Sequence, residues 1–474
     1  MKRIFGIVLG VVMAGFAVAQ TASVDKPVRS QHRWGLVFGN HTVGGSFNVD
    51  TRGKIELTDD DKDVKSMSAD GYLEINKITF GSRRSIIITP LATGVRREYY
   101  EGREKMPFEP EGRQWLGEVL PELVRSTTIA AESRVTRYFR TGGINALLDE
   151  VDRLASDHVK AHYGSLLGKL NLSATDWPLA ITRITNSIES DHYRTEFLEG
   201  NMNRITGNKE ALSAVLAASG KMESDHYKTQ VIKSALSQQG VTMEGTRQIM
   251  TVVSDMESDH YRTEVLSGLL RRDNLTDAMV AEILAVTKRF ESDHYRTQVL
   301  SQALAKSGLS AASFQRALES VETMESDHYK TEVLTDLLRG KLNEEMDKRL
   351  IGIASNLDSD HYRSIVLTTM LDRQELSDLA FSQLISQAAE GESDHYASIV
   401  LVHALETPGL SEAKVMSVLT AAPHLNSDHY LAEVLTRAAG RVRNGSAALK
   451  EAYRTAAKSI DSEVYYARAL RAVE

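Results

Sequence analysis

The sequence predicts a mostly α-helical fold, an α-solenoid of about ten 34-residue helical hairpins of the HEAT-like kind, preceded by a small antiparallel β module. Three observations indicate this architecture. The phrase MESDHYRTEVL at 256–266 recurs in near-copies at a fixed spacing. Each copy begins an amphipathic stretch, and a second helical stretch completes the period. Before the first copy, short β-type runs alternate with turn residues.

Residues 1–19 are predicted to form a secretory signal peptide. Lys2 and Arg3 precede an apolar run, and Ala17-Val18-Ala19 supplies an A-x-A cleavage step. The run is about 15 residues long, shorter than the roughly 20 that a membrane span needs. We therefore expect an exported protein, periplasmic or secreted, without a stable membrane span after cleavage. An uncleaved anchor is the alternative.

Residues 20–108 are predicted to form the β module, and 109–150 linking helices or a cap. The β-type runs lie at 34–38, 46–49, 54–57, 72–80, 85–90 and 95–100, separated by glycine-containing turns. A helical period returns at 111–124 and 130–139. Because a solenoid exposes apolar surface at its ends, the β module could serve as a cap or as the part that binds.

Residues 151–474 are predicted to form the solenoid. The first Asp of each motif lies at 157, 191, 225, 259, 293, 327, 360, 394 and 428, so the spacing is 34 in seven of the eight steps and 33 in the remaining one. A degenerate tenth copy, Ser462-Glu463-Val464-Tyr465, closes the C-terminal end. The expected tetratricopeptide residues are missing, which favours a short HEAT-like repeat.

Each period contains two helices. In the copy at 256–266, Tyr261, Val265, Leu266 and Leu269 form the apolar stripe of the first helix. The second helix follows a Leu and a small polar residue that can accept a hydrogen bond from free backbone N–H groups. The pairs are Leu275-Thr276, Leu309-Ser310, Leu342-Asn343, Leu376-Ser377 and Leu410-Ser411.

The recurring Ser-Asp-His-Tyr motif has a structural interpretation for most of its residues. The Ser is placed to cap the first helix, and the Asp lies in its first turn. Asp259 and Arg262 are three residues apart and can pair along the helix surface, a contact worth a few tenths of a kcal/mol when exposed. The same spacing recurs in Asp191/Arg194, Asp225/Lys228, Asp293/Arg296, Asp327/Lys330 and Asp360/Arg363.

The His of the motif is explained neither by capping nor by the apolar stripe. One interpretation is a ladder in which each imidazole bonds the Asp of a neighbouring repeat and sets the stacking angle. A second is a row that binds divalent cations, and a third is a repeated contact surface for a partner. The candidate residues are Asp191, His192, Asp225, His226, Asp259, His260, Asp293, His294, Asp327, His328, Asp360, His361, Asp394, His395, Asp428 and His429.

Composition narrows the function classes. The chain contains no cysteine, which excludes disulfides, thiolate catalysis and cysteine-ligated zinc. A formal net charge of −8 argues against nucleic acid as a partner. No cofactor is expected.

Two short motifs suggest chemistry but are incomplete. His158 and His162 have half of a zinc-peptidase pattern, but Val159 occupies the position of the general-base Glu. The acidic run at 59–63 resembles the start of an EF-hand, but Val64 stands where that loop needs Gly. We interpret the acidic run as a solvated hairpin turn, with weak calcium binding as the alternative. The protein is therefore not expected to be an enzyme.

Three stretches resemble a known group of proteins. KIELTDDDKDVKSMSADGYLEI at 54–75, PFEPEGRQWLGEVLPELVR at 107–125 and the SDHYRTEVL repeats resemble uncharacterised exported bacterial proteins. Similar segments accompany membrane zinc peptidases of the beta-lactam-sensor type. The resemblance implies an envelope role, as a sensing or scaffolding segment. This chain lacks the His-Glu-x-x-His motif, so no peptidase residue is carried over.

The sequence therefore suggests an exported, non-enzymatic repeat scaffold that binds protein partners in the bacterial envelope. The contact elements would be the long face of the solenoid, with exposed residues such as Arg262 and Glu264, or the β module. Divalent-cation binding through the Asp-His ladder is one alternative. A ladder with a purely structural role is the other.

Overall fold

A computed structural model describes residues 32–34, 45–79, 81–205, 207–238, 242–307, 309–340 and 342–474. The predicted signal peptide lies outside these residues. The predicted fold class is confirmed: 66% of the structure is helical, and 21 successive helices follow a small antiparallel sheet in the described part. The chain divides into two compact units, Met1–Thr141 and Gly142–Glu474.

The first unit contains two antiparallel sheets. The six-stranded sheet has the order β1-β2-β5-β6-β7-β8, and β3 pairs with β4 in a separate hairpin. The sequence did not predict β4 and β8, which have only four and three residues. The strands are β1 His32–Trp34, β2 Gly45–Arg52, β3 Ile55–Leu57, β4 Val64–Met67, β5 Tyr72–Thr79, β6 Ser82–Pro90, β7 Val95–Glu101 and β8 Glu104–Met106.

One face of the large sheet is buried under a helix. Helix α1, Arg113–Ser126, packs its apolar side on alternate residues of the central strands, as period-two alternation requires. The sheet contributes Leu73, Ile75, Ile86 and Ile88, all with no exposed surface. Helix α1 therefore shares the core of the sheet.

The units divide inside α2, Ala131–Val151. The helix is interrupted at Gly142 and Gly143, whose backbone angles are not helical. Gly143 has a φ of 65°, a left-handed conformation that glycine adopts without a steric penalty. The boundary between the two units therefore coincides with a glycine break in the helix.

The second unit is built from alternating first and second helices. The first helices are α3 Asp157–Leu166, α5 Asp191–Ile205, α7 Asp225–Ser237, α9 Asp259–Leu270, α11 Asp293–Leu304, α13 Asp327–Leu337, α15 Asp360–Arg373, α17 Asp394–Glu406, α19 Asp428–Arg443 and α21 Glu463–Val473. The second helices are α4 Asp176–Ser187, α6 Lys209–Gly220, α8 Met243–Ser254, α10 Asp277–Val286, α12 Ala311–Val321, α14 Glu344–Ser355, α16 Asp378–Ala389, α18 Glu412–Ala421 and α20 Ala447–Ala457.

The helices of the second unit form two layers. First helices pack on first helices, and second helices pack on second helices. The predicted caps of the second helices are confirmed, since Thr276, Ser310, Asn343, Ser377 and Ser411 each accept a hydrogen bond from the backbone N–H three residues later. A continuous apolar core extends between the layers from Leu216 to Ala469.

The degenerate tenth copy closes the C-terminal end with one helix instead of a hairpin. Helix α21 packs against α19 and contributes Ala469 to the core. The buried Tyr453 of α20 donates its hydroxyl hydrogen to the Ala469 carbonyl at 2.7 Å. The side of α21 turned away from this core carries the exposed Val464, Arg468 and Arg471.

Within the residues that the structure describes, no helix is both long and apolar enough to cross a membrane.

Candidate functional site

The candidate residues lie together along one side of the solenoid. We call this side the motif edge: it is where each second helix ends and the next first helix begins, and each Ser-Asp-His-Tyr copy is one rung of it. Each motif Asp is the first residue of a first helix. The repeat therefore brings all sixteen predicted site residues to the same edge, two to a rung, as the fixed period implies.

Each motif Asp joins its own rung to the following one. The Asp259 carboxylate accepts hydrogen bonds from the backbone N–H groups of Glu291 and Ser292, at 2.8 and 2.7 Å. These amides precede the next first helix and would otherwise lack a partner. All nine rungs have this link, from Asp157, Asp191, Asp225, Asp259, Asp293, Asp327, Asp360, Asp394 and Asp428.

The other carboxylate oxygen of the motif Asp forms an ion pair within its own rung. In six rungs it lies 2.8–4.0 Å from the Arg or Lys three residues later. Arg262 is only 8% exposed, so this pair is not the exposed surface contact that the sequence suggested. Two later rungs have Ala397 and Leu431 at the basic position, yet Asp394 and Asp428 keep their backbone link. The link between rungs is therefore the more general role of the Asp.

The basic residue three positions after the motif Asp also donates hydrogen bonds to free carbonyl groups at helix ends. The Arg262 guanidinium donates to the carbonyls of Val253 and Met256, at the end of the preceding second helix. It also donates to the Arg289 carbonyl of the next repeat at 2.8 Å. These carbonyls lie where a helix has no further intrahelical donors. Arg262 is therefore an internal connector, and its predicted role as an exposed contact residue is wrong.

The motif His packs between two tyrosines. His260 lies 5.2 Å from Tyr261 of its own rung and 5.9 Å from Tyr295 of the next rung, measured between ring centroids. Tilted and edge-on geometries of this kind suit aromatic rings. The predicted bond between the imidazole and a neighbouring Asp is wrong, because the Asp accepts from backbone amides instead.

The same contacts repeat along the whole motif edge. Own-rung centroid distances are 5.0–5.3 Å and next-rung distances are 5.4–6.0 Å. We call this line of rings the ring row. Its members are His158, Tyr193, His192, Tyr227, His226, Tyr261, His260, Tyr295, His294, Tyr329, His328, Tyr362, His361, Tyr396, His395, Tyr430, His429 and Tyr465.

The ring row is open to solvent on its outer side. All nine of its His are exposed, and its Tyr are half-buried. Tyr465 shows that the degenerate tenth copy keeps the ring while it loses the Asp and the His. The motif Ser makes no side-chain cap at seven of these helices, so the capping role expected for it is wrong there. Its backbone N–H donates to the Asp of the preceding rung instead.

Acidic side chains flank the ring row. The residue two positions before each motif Asp is exposed and, in seven consecutive rungs, acidic. We call these the leading acids: Glu189, Glu223, Glu257, Glu291, Glu325, Asp358 and Glu392. A second set lies one helical turn after the His, at Glu196, Glu264, Glu332 and Glu433. The exposed part of the motif edge is therefore aromatic at its centre and negative on both sides.

The electrostatics of a rung are clearest at Asp225. Burial opposes ionisation of this carboxyl, but the Ser258 N–H, the Lys228 ammonium and the Glu257 N–H together hold its pKa below the ordinary value. The charged form is the one that these donors stabilise. Asp225 is therefore ionised in the folded protein at neutral pH and contributes to stability in that form.

The arrangement does not resemble a metal centre. Among the residues described, no three His, Asp or Glu side chains are grouped so that they could hold one ion. Successive imidazoles lie on the order of 10 Å apart, whereas ligands of one zinc ion lie within about 2 Å of it. His158 and His162 are separated along one helix, and burial lowers the pKa of His162, with a smaller contribution from His158.

The acidic run at 59–63 is the turn of the β3–β4 hairpin, as the sequence suggested, with Asp59, Asp60 and Lys62 exposed, but it is not solvated throughout. It connects β3 to β4, but Asp61 is buried and accepts hydrogen bonds from Arg134 at 2.9 and 3.0 Å and from Arg137 at 2.6 Å. Burial raises the pKa of Asp61, but the two arginines outweigh it and lower the pKa overall. Asp63 pairs with Arg97 at 2.7 Å. Arginines therefore occupy the carboxylates of Asp61 and Asp63, two of those that a calcium ion would need.

The opposite edge, where first helices turn into second helices, has its own links, which sequence reasoning missed. The first-turn Asp277 accepts from the Ser310 N–H at 2.9 Å and the Ser313 hydroxyl at 2.6 Å. Long side chains at the ends of first helices donate to carbonyls one repeat earlier; they are Arg272, Lys306, Gln374 and Arg441. The available signal was the recurrence of a long donor at a nearly constant distance from the motif Asp.

Comparison with known proteins does not assign the chain to a family. No protein-family model and no curated protein matches it. A solved structure described as "Computational Design of Self-Assembling Cyclic Protein Homooligomers" is similar over 70% of this chain and 92% of its own length, with 12% sequence identity and a TM-score of 0.09. So low a TM-score carries no argument about fold or function.

Proposed function

We propose that this protein is an exported, non-enzymatic repeat scaffold that binds a protein partner in the bacterial envelope through its motif edge. The observation that carries the proposal is the exposed part of each rung. The exposed rings of the ring row and the leading acids recur along the edge at a fixed spacing. The expected signal peptide supports export. The resemblance of the repeats to those of exported bacterial proteins supports a location in the envelope.

The leading acids support a role outside folding. Within the described residues, the carboxylates of Glu257, Glu291 and Glu325 accept no hydrogen bond, although their backbone N–H groups bond the preceding Asp. A row of like charges spaced by about 10 Å is mildly repulsive even with screening over ~8 Å. Repulsion along the row opposes stacking of the repeats, and a basic partner would relieve it.

Cation binding is less well supported by the geometry of the rungs. The motif carboxylates, which would be the charged ligands of a divalent ion, are already engaged by backbone amides and by Arg or Lys. Removing a carboxylate from these donors would unlink two rungs. A cation would therefore compete with the stacking of the repeats.

The proposal is tested by affinity capture of the full chain after crosslinking in cells. One variant carries Glu257→Lys, Glu291→Lys and Glu325→Lys on the motif edge. Its matched control carries Glu210→Lys, Glu244→Lys and Glu345→Lys on exposed positions of second helices. We expect a specific envelope protein to be captured by the wild type and the control but not by the motif-edge variant.

Equal capture by both variants would contradict a motif-edge contact. Circular dichroism of each variant checks that the substitutions leave the helices folded. A melting temperature that rises with zinc or nickel and returns with chelator would instead favour the cation alternative.

A further inference from the structure

The spacing of the rungs restricts the shape of a partner that contacts several of them. Each imidazole lies within 5.4–6.0 Å of the next rung's tyrosine, and that tyrosine within 5.0–5.3 Å of its own imidazole. Successive imidazoles are therefore on the order of 10 Å apart, the separation of packed helices. A partner that makes the same contact at each rung needs a chemical repeat of about this length.

An extended polypeptide has such a repeat. A polyproline II helix has three residues per turn and rises about 3.1 Å per residue, so every third side chain returns to the same face after about 9.3 Å. An α-helix returns to the same face about every 5.4 Å, so only every second turn would meet a rung, whereas every turn of a polyproline II helix meets one. The rung spacing therefore favours an extended segment with a three-residue period.

The surface between rungs has room for such a segment. A groove of about 230 Å³ opens beside His260. It is lined by Glu264 and Arg271 from the same helix and its end, by Tyr295 and Gln298 of the next rung, and by Lys233 of the previous one. Aromatic rings line grooves that receive proline-rich segments in known recognition modes. The His260 and Tyr295 rings are placed to contact an apolar ring of the partner.

The charges at the motif edge select the polar residue of the segment. The leading acid and, in several rungs, the Glu one turn after the His lie on the two sides of the ring row. The basic residues of the motif are turned inward, as at Arg262 and Arg296, which are 8% and 5% exposed. A Lys or Arg at every third position of the partner would meet a leading acid at each of the seven rungs that carry one, and a cation beside aromatic rings gains further attraction.

We propose that the motif edge binds an extended, proline-rich polypeptide segment that carries Lys or Arg at every third residue, with one basic residue at each rung. The inference rests on the proposed function, because it names the class of protein that the same edge would bind. The preformed polyproline II conformation reduces the ordering cost of binding along so long an edge.

The test uses the purified full chain and two labelled peptides, with binding measured by fluorescence anisotropy. The first peptide has six Pro-Pro-Lys units and, at ~3.1 Å per residue, covers about six rungs. The second has the same composition with its lysines at irregular spacing. We expect the periodic peptide to bind at least tenfold more tightly, with affinity that falls as salt is added.

Protein variants locate the contact. Glu257→Gln, Glu291→Gln and Glu325→Gln together should weaken binding of the periodic peptide about tenfold, whereas Glu210→Gln, Glu244→Gln and Glu345→Gln should leave it unchanged. Both sets remove three exposed carboxylates and should leave the fold intact. The comparison therefore separates a contact at the motif edge from a general effect of net charge.

Each contrary result has a definite meaning. Equal affinity for the two peptides would overturn the three-residue register, and equal weakening by the two sets of variants would overturn a contact at the motif edge. Self-association that only the motif-edge variant abolishes would overturn the register too, because the occupant would then be a second copy of the chain. If cellular capture depends on the motif edge but neither peptide binds, the scaffold stands and this partner class is wrong.

Discussion

Asp259 is a single residue whose two carboxylate oxygens serve different repeats. One oxygen accepts the N–H groups of Glu291 and Ser292 in the next rung, and the other pairs with Arg262 in its own. Hydrogen bonds to a charged group contribute about 1.5–3 kcal/mol, more than neutral ones. The stacking of two repeats therefore depends in part on one ionised side chain.

Asp259→Asn should destabilise the solenoid by about 1–3 kcal/mol, because the amide keeps the shape of the side chain but loses its charge. The measurement is the urea midpoint by circular dichroism. Asp273→Asn, an exposed Asp in the turn after the same helix, is the control and should change stability by less than about 0.5 kcal/mol. Equal effects of the two substitutions would show that the link between rungs contributes nothing.

The lowered pKa of Asp225 predicts how the stability of the protein changes in acid. Its pKa is lowered in the folded protein, so its contribution to stability is fully present above the ordinary Asp value of about 3.9 and is lost as the pH falls through the lowered folded pKa. The difference in melting temperature between wild type and Asp225→Asn should therefore be large at pH 7 and shrink below about pH 4. A difference independent of pH would contradict the sign of the shift.

Single-residue roles were predictable from the sequence only where the partners are close in the chain. The pairing of Asp259 with Arg262 follows from a spacing of three on a helix. The partners of its other oxygen lie about one repeat away and require the stacking register, which no local pattern contains. The burial of Asp61 was missed for the same reason, because Arg134 is 73 residues distant.

Helices of the second unit begin in two ways. Second helices use a side-chain cap, as at Thr276, whose hydroxyl accepts from the Met279 N–H. Seven first helices begin at a Ser that makes no such bond, as at Ser258. The N-terminus of a first helix is held by the Asp of the preceding rung. The small polar residue before a helix therefore has one of two roles: its side chain caps a second helix, or its backbone N–H binds the Asp of the preceding rung at a first helix.

Substitutions of Thr276 and Ser258 distinguish these two roles. Thr276→Ala should cost about 1 kcal/mol through loss of the cap, whereas Ser258→Ala should cost less than about 0.5 kcal/mol because its N–H remains available to Asp225. Unfolding in urea measures both. A larger loss for Ser258→Ala than for Thr276→Ala would mean that the serine hydroxyl has a role that the structure does not assign to it.

The ring row should couple adjacent helices. A double-mutant cycle of His260→Ala and Tyr295→Ala should give a coupling of about 0.5–1.5 kcal/mol, the range found for aromatic pairs. The control cycle pairs His260 with Tyr362, which lies beyond the neighbouring rung and should be additive within about 0.5 kcal/mol. No coupling at the adjacent pair would remove the structural role of the imidazole.

The helices could be predicted from the sequence where the repeat is long and regular. The 34-residue step and the Leu-Ser/Thr pairs located both helices of most repeats. The β module was harder, because β4 follows an acidic run that resembles a turn and β8 has only three residues. Each is the second strand of a hairpin, and its pairing with β3 or β7 makes it a strand.

At the scale of the whole solenoid, stability comes from contacts between adjacent repeats. Each repeat is linked to the next at both edges and through a continuous core, so the array behaves as a chain of nearest-neighbour contacts. Such an array presents one surface many times over. The motif edge is the part of that surface where exposed rings and acids repeat in step with the fold.

Site-specific photo-crosslinking in cells tests the proposed contact most directly. A photoreactive residue replaces Glu257, Glu291 or Glu325 on the motif edge, with Glu244 on a second helix as the control and Arg96 on the β module as the competing site. We predict that all three motif-edge positions give an adduct with the same envelope protein, and that Glu244 and Arg96 do not. Adducts from Arg96 alone, or from none of the motif-edge positions, would contradict a scaffold that binds through its repeats.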